Sequence, residues 1–284
     1  MASQIVSDRF VKVDGLRIHY LDWGNPNGPA LVMLHGLRSF AHAWDPVARS
    51  FADTYHILAV DQRGRGESDW SPTADYYADA YVSDLKHLVN ELGLKSFILM
   101  GHSMGGSNTV IYASRHPDRV KAAIVVDFGP AGSVPPPGRV RLARELQNTP
   151  LEFPTWEAAR DFWHSERPNI SEEALNIRLA NTLKELSNGK VGWKYDIQGI
   201  KKARENPRPA EHEDMWAHVR NIRCPTLVLR GAVSDILSRE TAIAMAAANR
   251  NIRWVEVPAA SHYVYEDNLS FFNMEVAKFL HVLK

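Results

Sequence analysis

Ser103 lies in the stretch SFILMGHSMGGSNTVIYASRHP, residues 96–117, where an apolar run stops at Gly101 and a helix-like pattern begins. A serine between two glycines at a strand-to-helix junction fits a nucleophile held on a sharp turn. Such a turn is strained, so its flanking positions must be small. Gly101 and Gly105 meet that need, and Gly106 lets the helix approach the sheet. The turn lifts the hydroxyl above the strand ends and aims the free N–H groups of a helix N-terminus at whatever the serine attacks. A glycine-rich turn without chemistry has the same local pattern. A nucleotide loop fits poorly, because the GxGxxG spacing and the P-loop lysine are missing.

A serine alone is a weak nucleophile; it needs a base, and the base needs an orienting acid. His262, in PAASHYVYED, follows one expected strand, and Asp235, in LRGAVSDILS, follows the preceding one. Both lie at C-terminal strand ends, the edge where Ser103 sits and where open α/β sheets bind ligands. Taken singly they say little, since the chain has 12 histidines and 33 acidic residues. The chain order serine, acid, histidine makes the set specific. Asp127, in VVDFGP, also ends a strand and is either a loop-bracing carboxylate or the alternative acid. The oxyanion of an acyl transfer would be held by the backbone N–H groups of Leu37, in MLHGLRS, and Met104. His35 reads as a side chain that holds this loop. Asp61, Arg63, Gly64 and Gly66, in AVDQRGRGESD, read as a hydrogen-bonded loop.

These residues need a scaffold with several strand ends on one edge. RFVKVDG and LRIHYLDWG alternate like half-exposed strands joined at Asp14-Gly15, a hairpin signal. PALVMLHG, YHILAVDQRGRG, SFILMG and KAAIVVDFGP are continuous apolar runs. They are separated by helix-like stretches such as DAYVSDLKHLVNELG. This rhythm predicts a parallel sheet covered on both faces. From about Pro130 to His218 it breaks, with no strong strand expected. GSVPPPG marks a linker, and helices are expected at 137–147, 154–164, 171–186 and 196–204. CPTLVLRGAVSD and NIRWVEVPAASH restore the strand pattern, and NLSFFNMEVAKFLHVL closes the chain as an amphipathic helix. Residues 1–129 and 219–284 thus form one domain, interrupted by a helical insertion at 130–218.

The 284 residues include 45% hydrophobic and 23% charged ones, ordinary for a globular protein. Lys plus Arg and Asp plus Glu are both 33, so no charge excess points to nucleic acid or an anionic membrane. One cysteine, Cys224, neither forms an internal disulfide nor suggests zinc. With no leader-like or membrane-spanning run, a cytoplasmic location is expected.

HGL at 35–37, DQRGRGES at 61–68, GHSMGG at 101–106, Asp235 after LVLRG and His262 in ASHY together resemble the α/β-hydrolase family. The resemblance implies a mostly parallel eight-stranded sheet flanked by helices, with the insertion as a helical cap over the catalytic edge. Epoxide hydrolases and haloalkane dehalogenases of this fold carry an aspartate where this chain has Ser103. Carbon–carbon bond hydrolases usually show asparagine where it has His102. GHSMGG is more like esterases, enol-lactonases and perhydrolases. AVDQRGRGESD, VVDFGP, RPNI at 167–170 and SHYVYE at 261–266 resemble the bacterial hydrolases of (E)-2-(acetamidomethylene)succinate, which cleave an enamide. That likeness implies the acid at Asp127.

The expected activity is hydrolysis of a carboxylic ester or lactone of a small molecule, through Ser103, His262 and Asp235, with no metal or organic cofactor. An activated amide or enamide, or a carbon–carbon bond, is the alternative substrate. Perhydrolase and cofactor-free dioxygenase chemistry, and a ligand receptor with a vestigial triad, are further readings. Arg38, Phe40, Trp44, Trp156 and Trp163 are candidate pocket residues. Among them, Arg38 follows Leu37 and is suited to hold a carboxylate.

Overall fold

In the computed structural model, residues 6–130, 137–168, 170–206 and 214–283 are described. Most of the expected GSVPPPG linker, residues 132–136, lies outside these, as does Asn169 of RPNI. Asp14 and Gly15 take φ of 46° and 87° and close the hairpin between β1 (Ser7–Val13) and β2 (Leu16–Asp22). Two successive positive φ values match the right-handed twist of the strands.

The chain then alternates: β3 (Ala30–Leu34), α1 (Asp45–Phe51), β4 (His56–Val60), α2 (Ala78–Glu91), β5 (Phe97–His102), α3 (Met104–Arg115) and β6 (Val120–Val126). The interposed segment follows, with α4 (Pro137–Asn148), β7 (Glu152–Phe153), α5 (Trp156–Glu166), α6 (Glu172–Thr182), β8 (Leu183–Glu185), β9 (Val191–Trp193) and α7 (Ile197–Glu205). Last come α8 (Met215–Asn221), β10 (Thr226–Gly231), α9 (Arg239–Ala248), β11 (Ile252–Val257), α10 (Val264–Asp267) and α11 (Leu269–His281).

The eight-stranded sheet has the order β1-β2-β4-β3-β5-β6-β10-β11. The β1–β2 and β2–β4 pairs are antiparallel and the rest parallel. Its central strands are mostly apolar on both faces because both faces are covered. Val32, Leu34, Phe97, Leu99 and Val125 join one core with α2, α3 and α9. Leu31, Met33, Ile98, Met100 and Ile124 join the other with α1 and α11. The helices after β3 and β5 therefore lie on opposite faces. This opens a crevice between the two strand ends, where open α/β sheets bind ligands.

The interposed segment corrects one expectation. It holds a small three-stranded antiparallel sheet, β7-β9-β8, where no strong strand was expected. The helix expected at 171–186 ends at Thr182, and the chain turns back at Asn188-Gly189. Gly189 takes φ 77°, and Leu186 N donates to Lys190 O at 2.8 Å. Asn-Gly between short apolar stretches is a hairpin signal, hidden here by strands of only three residues. A third core, with Trp163, Leu175, Trp193 and Ile200, packs this segment against Tyr76, Tyr81, Leu37 and Met104. The sheet expected to resume at 219 is entered through α8, whose Val219 already belongs to the first core.

Arg63 pins the loop after β4 to α2: its Nε and Nη2 donate to the two carboxylate oxygens of Asp84, both at 2.6 Å. Both side chains are over nine-tenths buried. Removing one partner strands a buried charge, so Arg63→Met should cost about 3–5 kcal/mol in urea unfolding. The double variant with Asp84→Leu should recover most of that loss. Equal losses in the two proteins would show that the pair is not what holds the loop.

Candidate active site

The GHSMG turn works by exclusion of side chains. A Cβ on Gly101 would lie 2.1 Å from Gly105 O, and one on Gly105 would lie 2.2 Å from Leu34 O. With neither present, β5 passes into α3 through one residue, Ser103, at φ 53° and ψ −112°. Non-glycine residues rarely adopt such angles, and strain of this kind concentrates at functional sites. Ser103 N is tied back to Val126 O at 2.9 Å, which fixes the turn against β6.

His262, on the loop after β11, brings Nε2 to 3.0 Å from Ser103 Oγ. Its Nδ1 lies 2.8 Å from Asp127 Oδ2. The structure thus places Asp127, and not Asp235, on the imidazole. Asp127 is itself at positive φ, 47°, directly after β6, and its N–H donates to Leu229 O at 2.8 Å. That bend turns a fully buried carboxylate toward the ring. Gly231 N donates to its Oδ1 at 3.0 Å and Ser234 Oγ to its Oδ2 at 2.5 Å. His262 Nδ1 completes the set of partners around this carboxylate.

Asp235, one residue beyond Ser234, points elsewhere. Arg141 of α4 donates to it from Nε at 2.8 Å and from Nη2 at 3.0 Å, and Gly138 N donates to its backbone oxygen at 2.9 Å. The Arg141 hydrogen bonds hold its carboxyl below the usual range, against partial burial. So the loop after β10 serves the site through Gly231 and Ser234, while its aspartate anchors α4. Nothing in the sequence marked Ser234 beyond its place beside Asp235.

On the other side of Ser103, the turn from Gly36 to Ser39, closed by Ser39 N to Gly36 O at 3.3 Å, brings Leu37 to the cavity that Ser103 lines. A Cβ on Gly36 would be 3.1 Å from His102 Nδ1 and 3.4 Å from Ser103 Cβ, so the two loops are in contact. Met104 opens α3, and its N–H precedes the helix's first internal hydrogen bond. Met104 thus directly follows the serine, and Leu37 lines the cavity beside it.

Two buried histidines brace this arrangement. His35 donates from Nδ1 to Gly36 O at 2.7 Å and accepts from Gln62 N at 3.0 Å through Nε2. Gln62 donates to His35 O, and Asn108 of α3 donates to Gln62, both at 2.7 Å. His35 is thus a loop-holding side chain, as its position suggested. His102 donates from Nε2 to His262 O at 2.8 Å and so steadies the backbone of the base. Burial, with His262 beside it, pushes its pKa well down.

Residues 29–269 match the family of the alpha/beta hydrolase fold. The chain belongs to that family. It is 29% identical over 272 residues to a 2-(acetamidomethylene)succinate hydrolase of Mesorhizobium japonicum, covering 94% of each chain. It is also 29% identical over 257 residues to a 3-hydroxybutyrate-oligomer hydrolase of Cupriavidus necator, covering 87% of each. Among solved structures, one of an E-2-(acetamidomethylene)succinate hydrolase superposes with a TM-score of 0.86 at 25% identity. It covers 98% of this chain and 100% of that one.

Not all of the pocket candidates reach the cavity beside Ser103. Arg38 does line it, with Nη1 held by Glu145 at 3.0 Å and Glu166 at 2.8 Å. Trp163 is buried between Arg38 and Arg178, whose guanidinium carbons lie 5.1 and 4.8 Å from its ring. Trp44 is fully buried against Tyr265, ring centres 4.4 Å apart, and belongs to the core beneath the site. Phe40 lines a separate hollow with His19 and Asp61. Trp156 lies exposed on α5.

Burial lowers the His35 pKa to about 4, from an ordinary 6.5. Between these values the unfolded chain binds a proton that the folded one does not. This contribution to stability is complete above about pH 6.5 and is lost as pH falls toward 4, roughly 3 kcal/mol in all. Urea unfolding of the wild type at pH 7 and 5 should show the loss, and His35→Gln should show a smaller one. An unchanged pH dependence in that variant would contradict the neutral buried ring.

Proposed function

We propose that this protein is a serine hydrolase that cleaves a carboxylic ester of a small molecule through an acyl-enzyme. The observation that carries this is the unbroken chain from Ser103 Oγ to His262 to Asp127, at 3.0 and 2.8 Å. His262 Nε2 takes the serine proton as Oγ bonds to the carbonyl carbon. The N–H groups of Leu37 and Met104 hold the developing oxyanion. His262 passes the proton to the departing oxygen, the carbonyl-to-leaving-group bond breaks, and the acyl group stays on Ser103. Water then attacks, losing its proton to His262, and the acid departs as the serine regains a proton. Asp127 holds the imidazole tautomer and stabilises its charged form. Residues 130–218 act as a cap over this edge, and the lone buried Cys224 suits a reducing, cytoplasmic setting.

A second reading, hydrolysis of an enamide, is favoured by one observation. The carboxylate facing His262 is Asp127, the position that the resemblance to acetamidomethylenesuccinate hydrolases implies for the acid.

Ser103→Ala should abolish turnover of p-nitrophenyl acetate and labelling by a fluorophosphonate. Asp127→Asn should reduce kcat by about four orders of magnitude, as loss of the orienting acid does elsewhere. Asp235→Asn should stay within about tenfold of wild type, because it loses only a half-exposed ion pair. Turnover surviving in Ser103→Ala would refute the mechanism, and reversed effects of the two aspartate variants would return the acid to Asp235.

A further inference from the structure

A cavity of only about 30 Å³ adjoins Ser103 and His262 directly. A larger cleft, about 420 Å³, lies next to it and has Leu37 and Met104 in its wall. A substrate whose carbonyl is held at those two residues has this cleft beside it. Part of the lining is apolar, including Ile111, Ile200 and Met215. Three guanidinium groups line it too, from Arg65, Arg139 and Arg204, against one carboxylate, Asp79. That carboxylate is already held by Arg115 at 2.7 Å.

Two of these cations have no counter-charge among the described residues. Arg65 is 1% exposed, yet its hydrogen bonds go to neutral groups. They are Leu37 O at 3.2 Å, Arg63 O at 2.9 Å, Tyr81 OH at 2.5 Å and the Met104 sulfur at 3.7 Å. Arg139 donates to Gly129 O at 3.1 Å, and burial alone pulls its pKa below the usual guanidinium range. The contrast with the other arginines near the site is sharp. Arg38, Arg141 and Arg167 each bind at least one carboxylate. Leaving buried charge unpaired is costly, and it persists where something else requires it. Positive potential in a walled cleft also concentrates anions there.

We propose that this cleft receives the acyl part of the substrate and that this part ends in a free carboxylate. The scissile bond is then an ester or amide of a dicarboxylic acid. The inference rests on Ser103 being the nucleophile, as proposed above. One acid group supplies the carbonyl polarised at Leu37 and Met104, and the other meets Arg139, with Arg65 behind it. Attack by Ser103 releases the alcohol or amine with the proton from His262. Water then cleaves the acyl-enzyme and frees the dicarboxylate.

The test compares monoethyl adipate with ethyl hexanoate, a neutral ester of the same chain length, by acid release. The wild type should prefer the charged ester at least tenfold in kcat/KM. Arg139→Gln, a half-buried position that should fold, should reduce that preference at least tenfold, with KM carrying most of the change. Calorimetry on Ser103→Ala supplies a readout independent of turnover: adipate should bind saturably, and at least tenfold more weakly once Arg139→Gln is added. Equal or better cleavage of ethyl hexanoate, a preference that survives in Arg139→Gln, or no adipate binding would each overturn the proposal. If neither ester is cleaved while adipate binding still depends on Arg139, the anion cleft stands and the esterase reading falls.

Discussion

Around the serine turn, three backbone segments meet without side chains between them. Gly101 and Gly105 bring β5, α3 and the end of β3 to separations that no Cβ could share. That contact forces Ser103 into its strained angles and puts the start of α3 against the Gly36–Leu37 turn. Everything chemical is arranged around it. His262 is brought in by the loop after β11, and Asp127 by a one-residue overrun of β6. The hydrophobic cores on both faces of the sheet supply the rigidity, since close-packed interiors resist the relaxation that would unwind such a turn.

Much of this was legible in the sequence because it follows from local rules. Apolar runs ending in glycine gave the parallel strands, and Asp14-Gly15 gave the hairpin. The GHSMG spacing located Ser103, and the strand before ASHY located His262. These signals are short-range, and each depends on a few adjacent residues. The small sheet β7-β9-β8 escaped notice because its strands are two or three residues long, too short for alternation to register.

The acid was the harder problem, for a different reason. Asp127 and Asp235 each follow a strand at the same edge, and chain order admits either. What sets them apart in the structure is long-range: the positive φ at Asp127, which faces His262, and Arg141 arriving from α4 to occupy Asp235. Neither is written in the residues near the aspartates. The aromatic pocket candidates were hard to separate for a similar reason. Aromatic type alone did not distinguish Trp44, stacked in the core, from Trp156 on the surface or Trp163 between two arginines.

The bond between Asp235 and Arg141 has a consequence for how such a protein can diversify. With Asp127 facing His262 from the end of β6, Asp235 of the loop after β10 is left to fasten α4, while Gly231 and Ser234 hold Asp127. The interposed segment is thus docked to the body by residues other than the three that hold the reacting proton. Substitutions that retune or re-hang that segment can accumulate without touching the reactive centre. The molecule divides into a part that is hard to change and a part that is free to drift toward new compounds, joined at a replaceable fastener.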